Sequence, residues 1–418
     1  MPTVLLITPY FPPMSVVGAK RPLNLVRHLP HFGWQPVVLA GDPAGENVDL
    51  GLADLIPAEL PVSYAYGEGK QASSESAPRP REKERRFLGW DTGYITPFDR
   101  YLWHNGAALR EAAHLIEQHR PSAVVVCADP WSPLLVGVKL AHSPGLPLVV
   151  DFRDPWSLQR AKMALRPPPT RWIIRQTEYR VFRTARRIVL NTEECHDAYT
   201  AAYRGRVPSE RFTCIRNAFD LGVFKETSVQ RNDRFTVLHF GHFRRLVPSE
   251  PLLKGFAKFV QREGLGADKA ALVLAGTPRE EDLRHASSLG IADYVESRPP
   301  IPYREALGVM RSADVLALVT VGDMALTVPA KLYDYLAARR PILAITDQPE
   351  PGRIVDQTGA GVVVPPANPE AIAAGLARLR ARCQAPDRGE IPSESVTAFD
   401  AEEQARRFAA VLEAAIAR

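Results

Sequence analysis

The sequence predicts an α/β protein built from two doubly wound, parallel-sheet units in succession, and three observations lead there. Short runs such as Val4-Leu5-Leu6-Ile7 and Val124-Val125-Val126 are apolar throughout, as strands buried on both faces must be. Each run is followed by a segment of helical period, and strands that alternate with helices build parallel sheets. The chain has 418 residues, more than one hydrophobic core usually serves, so two domains are expected.

The elements follow in order. A strand over 4–8 leads through a Pro/Gly loop at 9–18 to a helix over 22–32 and a strand over 37–40. Residues 67–86 are polar and charged with no apolar period, so a mobile insertion is expected there. The alternation resumes with a helix over 100–118, strand 123–127, helix 134–142, strand 146–150, helix 170–184, strand 187–190 and helix 193–203. Beyond the polar segment 227–233 a second series has strands over 235–240, 271–275, 294–296, 315–319, 342–345 and 361–364, with helical patterns between them. The last segment, 402–417, carries an apolar stripe suited to packing back on the first domain. The expected domains are therefore 1–228, 229–395 and a closing helix in 396–418. Ligands of such sheets bind beyond the carboxyl ends of the strands, so two facing units are expected to bind between themselves.

A net charge of +5 and a pI near 9.0 favour acidic partners such as phosphates or anionic lipid, and are too mild to argue for nucleic acid. Cys127, Cys195, Cys214 and Cys383 are scattered without a C-x-x-C pair, which reads as reduced thiols in a cytosolic compartment. The histidines show no ligand spacing, so no metal is expected; His28, His114 and His142 read as helix-surface residues. The N-terminal apolar run is too short for a signal, and no apolar stretch reaches the ~18 residues of a membrane span. The expected location is cytoplasmic.

Chemistry concentrates in five places. Pro329 opens a helix that carries Lys331 and, three residues on, Asp334; a helix start with a lysine suits an anion, and a carboxylate on the same face suits hydroxyls. That pair fits a nucleotide. Gly241-His242-Phe243-Arg244-Arg245 follows the first strand of the second series, where glycine admits a close ligand and arginine forks match phosphate; a surface turn with solvated arginines reads equally from this loop alone. Asp151-Phe152-Arg153-Asp154-Pro155-Trp156 closes a strand and sets two carboxylates around a guanidinium, either to orient a hydroxyl or as a structural pair with Trp156 over a core edge. Gly18-Ala19-Lys20-Arg21 opens a helix that can meet a diphosphate, or is a flexible turn. Stretch 172–187, with Trp172, Arg175, Arg183 and Arg187, can lie on anionic lipid or be an ordinary solvated face. Neither G-x-G-x-x-G nor a Walker sequence occurs, which argues against a dinucleotide oxidoreductase or P-loop phosphotransferase.

Together these residues resemble the family 4 glycosyltransferases of the GT-B fold. Pro9-Tyr10-Phe11-Pro12-Pro13 with Gly18 and Arg21 resembles the family's opening loop, and Asp-Phe-Arg-Asp-Pro-Trp at 151–156 is similar to a bacterial branch. Asn217-Ala218-Phe219-Asp220 resembles the segment leading to the interdomain linker, and Gly241 to Arg245, Leu274-Ala275-Gly276, Ala313-Asp314-Val315 and Pro329 to Pro341 match in order. The family's donor helix usually carries two glutamates; here Asp334 stands at the second position and Leu326 at the first.

The resemblance implies an enzyme that moves a hexose-like sugar from a nucleotide diphosphate sugar to an acceptor hydroxyl with retention, in bacterial polysaccharide or glycoconjugate synthesis. No cofactor is implied. Gly18, Gly241, Arg244, Arg245, Lys331 and Asp334 would hold the donor, with the base near Pro300 and Ile301. Arg245 and Lys331 would stabilise the departing diphosphate without a metal. Asp151 and Asp154 would orient the acceptor, a sugar, lipid-linked or small molecule, with Arg21, Arg153 and Trp156 on the acceptor side. Two alternatives stand: a non-catalytic nucleotide-sugar binder, suggested by Leu326, and a scaffold peripheral to the inner face of the plasma membrane through 172–187.

Overall fold

The computed structural model describes every residue except 45, 68–85, 88–89, 143–145, 225–232, 244–246, 323–324, 388 and 418. The expected insertion at 67–86 and both candidate arginines, Arg244 and Arg245, therefore lie almost wholly or wholly outside the described residues. The chain divides into two compact units, Met1–Asn217 with Ala401–Arg418, and Ala218–Asp400.

In the first unit β1 (Thr3–Thr8), β2 (Gln35–Gly41) and β3 (Val62–Tyr66) are followed by a short antiparallel pair, β4 (Arg86–Phe87) and β5 (Trp90–Asp91). Then come β6 (Ala123–Ala128), β7 (Leu148–Phe152), β8 (Arg187–Leu190) and β9 (Phe212–Cys214). Seven of these form one parallel sheet in the order β3-β2-β1-β6-β7-β8-β9. The sequence pattern misses β3 and β9, and both are edge strands. β3 (Val-Ser-Tyr-Ala-Tyr) is largely half-exposed and β9 has only three residues, so neither carries the continuous apolar run of a central strand.

The last helix, Ala401–Ile416, packs on Lys20–His28 and the turn Leu29–Phe32. Arg407 donates to the carbonyl of Cys214 at 2.8 Å and Arg187 to that of Ala414 at 3.2 Å, so the helix is also hydrogen-bonded to β9 and β8.

A buried carboxylate fixes the far side of this sheet. Glu178, on the helix Pro168–Thr184, is fully buried and accepts from Tyr199 Oη at 2.9 Å, Tyr203 Oη at 2.7 Å, and the Ser157 amide at 2.9 Å and hydroxyl. Burial pushes its carboxyl up, and these four donors pull it partly back. The anion thus joins the loop after β7 to two helices.

The second unit holds β10 (Phe235–Phe240), β11 (Ala270–Ala275), β12 (Val295–Arg298), β13 (Val315–Thr320), β14 (Ile342–Thr346) and β15 (Gly361–Val364). All are parallel, in the order β12-β11-β10-β13-β14-β15. This is the doubly wound dinucleotide-fold order, with its reversal between β10 and β13. Alternate strand residues feed two separate cores. Val237, Leu272, Val315 and Leu343 meet Phe256, Phe259 and Ile372, while Leu238, Val273, Leu316 and Ile342 meet Leu332, Leu336 and Ile354.

Glu178→Ala should lower the stability of the first unit by roughly 1–3 kcal/mol, because it leaves Tyr199, Tyr203 and Ser157 with buried donors unmet. An unchanged urea midpoint would contradict that role.

Candidate site at the carboxyl edge of the second sheet

Lys331 sits on the helix Ala330–Ala338, whose start directly follows Pro329 and, among the described residues, bears no side-chain cap. The helix begins beyond the end of β13, beside the loop that leaves β10, at the point where the strand order reverses. Gly241, the first residue after β10, has φ +109°, and its amide donates to Ala275 at 2.7 Å. A methyl group built there would stand 3.2 Å from the Lys331 ammonium, so any larger residue crowds that cation. Gly276, after β11, lies against the backbone of Gly241; a methyl there would come within 3.1 Å of it. Two glycine turns and a lysine therefore share one edge.

Beneath them lies a residue the sequence reading passed over. His239 is fully buried inside β10, with Nδ1 2.9 Å from the carbonyl of Ala317 and Nε2 3.4 Å from Lys331 Nζ. Burial above all, then the Lys331 charge, holds this imidazole well below its usual pKa, while the Ala317 carbonyl works weakly the other way. A neutral ring follows, donating from Nδ1–H to Ala317 and accepting the lysine at Nε2. Phe243 stacks on it, with centroids 4.1 Å apart and planes 11° apart. The signal was available: a lone histidine in the apolar run Phe-Thr-Val-Leu-His-Phe.

Asp334, one turn beyond Lys331, is 6% exposed and accepts from Tyr303 Oη at 2.8 Å. Burial, then the Asp334 charge, pushes the Tyr303 phenol up, which keeps it a donor. Pro300 and Ile301 follow the end of β12, two residues before the helix that Tyr303 opens, so they share this edge. A cavity of about 740 Å³ lined by Lys254, Lys258, Gln261, Leu289 and Tyr294 lies instead where the chain enters β11 and β12, at the amino edge.

In the first unit the acidic motif takes a different form from the one expected. The expected strand ended at Val150, but β7 runs to Phe152, so Asp151 lies inside the sheet between Cys127 and Val189. It is fully buried, and the Arg21 guanidinium grips both its oxygens, at 2.7 and 2.8 Å. Arg21 also donates to the Arg216 carbonyl at 2.8 Å. This fork joins the first helix to β7 and to the segment after β9, the structural Asp–Arg pairing that the sequence left open, here with Arg21 rather than Arg153.

Trp156 lies close to this fork in sequence and is also buried. It is 4% exposed and stacks on the half-buried Trp131, with centroids 4.9 Å and planes 3° apart. Arg153 folds over Gly18 and Tyr10 and donates to the carbonyls of Ala128 and Asp129. A methyl on Gly18 would stand 2.4 Å from its guanidinium, so Gly18 is here a seat for Arg153. Asp154 is half-buried on the loop after β7.

Comparison with known proteins finds relatives of both halves of the chain. Residues 18–218 match the model described as glycosyl transferase 4-like domain, and residues 234–382 the model described as glycosyl transferases group 1. A curated relative, D-inositol 3-phosphate glycosyltransferase 1 of Catenulispora acidiphila, is 27% identical over 53% of this chain, and the match spans only 55% of that protein. Among solved structures, sucrose-phosphate synthase from Thermosynechococcus elongatus aligns with a TM-score of 0.62 and 14% identity, over 100% of this chain and 95% of that one. The lipopolysaccharide outer core galactosyltransferase WaaB aligns with a TM-score of 0.62 and 10% identity, over 98% and 99%. At those identities the likeness concerns the fold. With both halves matched by consecutive domain models and both sheets of the expected type, the chain belongs to the family 4 glycosyltransferases of the GT-B fold.

Proposed function

We propose that the protein transfers a sugar from a nucleotide diphosphate sugar to an acceptor hydroxyl, with retention of configuration and without a metal. One observation carries the reading: a lysine oriented by a neutral buried imidazole, beside a side-chain-free turn, at the switch point of a dinucleotide-type sheet. Departure of a diphosphate leaves negative charge on its oxygens, and a fixed cation at that place lowers the barrier because it is already oriented. Gly241 admits the phosphates, Lys331 neutralises them, Asp334 and its partner Tyr303 stand where ribose hydroxyls would lie, and Pro300 and Ile301 border the base. Arg244 and Arg245 are proposed to share the diphosphate. Asp154 and Arg153 remain the acceptor-side candidates of the first unit. We further propose a hexose donor and a place in bacterial glycoconjugate synthesis in the cytoplasm; the curated relative is named as a glycosyltransferase acting on inositol 3-phosphate.

A membrane-borne acceptor is a second part of this reading. Trp172 is 63% and Ile173 37% exposed on a helix that also presents Arg175 and Arg183 to solvent, a pairing of aromatic and cationic side chains that suits anionic headgroups. Among the described residues no helix is long and apolar enough to cross a membrane.

Three outcomes follow. Lys331→Ala should cut turnover of a nucleotide-sugar panel by about 10²–10³ with little change in melting temperature, since the side chain is oriented for charge rather than packed as core; an unaltered rate removes the lysine from the mechanism. Because the folded pKa of His239 is depressed, the unfolded chain takes up a proton first, so its contribution is intact above the unfolded value near 6.5 and is lost as pH falls below it. Between pH 7.5 and 5.5 wild type should lose roughly 1 kcal/mol more than His239→Asn in chemical denaturation, and equal losses would show that the ring is not held neutral. Binding to vesicles of anionic lipid should disappear in the double variant Arg175→Glu, Arg183→Glu; retention at full strength would remove this helix as the contact.

A further inference from the structure

The structure brings together three side chains that the sequence keeps apart. His28 ends the helix Lys20–His28, His31 lies in the turn Leu29–Phe32, and Glu402 stands in the first turn of the closing helix Ala401–Ile416. His31 Nδ1 is 3.1 Å from Glu402 Oε1 across 371 residues of chain, and one ligand atom from each of the three residues lies within 4.8 Å of the others. The imidazole planes of His28 and His31 stand at 80° with centroids 5.8 Å apart, so the two rings converge without stacking.

We propose that His28, His31 and Glu402 form a binding site for one zinc-like divalent cation that fastens the closing helix to the first unit. Two imidazole nitrogens and a carboxylate oxygen, with water completing the shell, are a donor set suited to zinc and its neighbours rather than to calcium or magnesium. Bonds of ~2.0–2.1 Å in tetrahedral geometry set ligand atoms roughly 3.3 Å apart. The His31–Glu402 edge already has nearly that length, and both side chains, 57% and 56% exposed, are open to solvent. Both histidines stand at the carboxyl ends of helical turns, where the backbone dipole favours a cation. The helix Lys20–His28 starts after β1 and runs back, so the site lies at the amino edge of the first sheet, away from the loops that follow β1 and β7. It is a staple, separate from the transfer reaction. The proposal departs from the expectation of no metal and of His28 as a plain helix-surface residue.

The full chain, stripped with a chelator, is titrated with zinc alone at pH 7.5 by calorimetry, and with cobalt to read coordination from its visible spectrum. One saturable equivalent is expected, with a higher melting temperature and slower amide exchange across Ala401–Ile416. His31→Ala and Glu402→Gln, both at well-exposed positions and checked for folding by circular dichroism, should each weaken binding by about tenfold or more. Cys383→Ser, which removes a partly exposed thiol elsewhere, should leave it unchanged. The proposal is overturned by absence of saturable binding, by binding that persists undiminished in both variants, or by binding lost in Cys383→Ser.

Discussion

Lys331 presents its charge at the switch point because the imidazole under it stays neutral. Were His239 protonated, two cations would face each other across 3.4 Å, a repulsion of about 5 kcal/mol at an effective dielectric near 20. Complete burial and the neighbouring Lys331 charge hold the ring neutral, the Ala317 carbonyl on Nδ1 sets its tautomer, and Phe243 holds it in plane. The glycine turns above it leave room for a ligand. The donor half of the reading is thus a small stack of dependencies: backbone carbonyl, imidazole, ammonium, phosphate.

The two units treat buried charge in opposite ways. In the first, Arg21 with Asp151 and Glu178 with its tyrosines are closed systems, every charge met by protein groups, and they hold helices and loops in register with the sheet. Such groups resist exchange with a ligand because removing one partner leaves the other stranded in low dielectric. In the second, the Lys331 ammonium at the sheet edge stands beside a neutral imidazole and a glycine turn.

The legibility of the site follows the same division. The helix with Lys331 and the turn at Gly241 were readable, because both depend on local rules: a proline ahead of a helix start and a glycine after a strand. Asp151 was misread by two residues of strand length, since the acidic residue looked like the end of an apolar run and was its interior. Trp156 was open between the acceptor side and a core edge, and its contact with Trp131, twenty-five positions earlier in the chain, was not legible. β3 escaped because it is half-exposed and lacks the continuous apolar run of a central strand, and β9 because three residues are too few to show a period.

By itself the sequence determined the two doubly wound units and nearly all their central strands, since a strand covered on both faces must be apolar throughout and its period is a local property. Its motifs also determined the family. Only tertiary structure decided which distant residues meet: Arg21 with Asp151, His239 with Lys331, His31 with Glu402. Those pairings depend on strand order and on the closing helix returning to the first unit, and no periodicity in a linear chain encodes a contact across hundreds of residues.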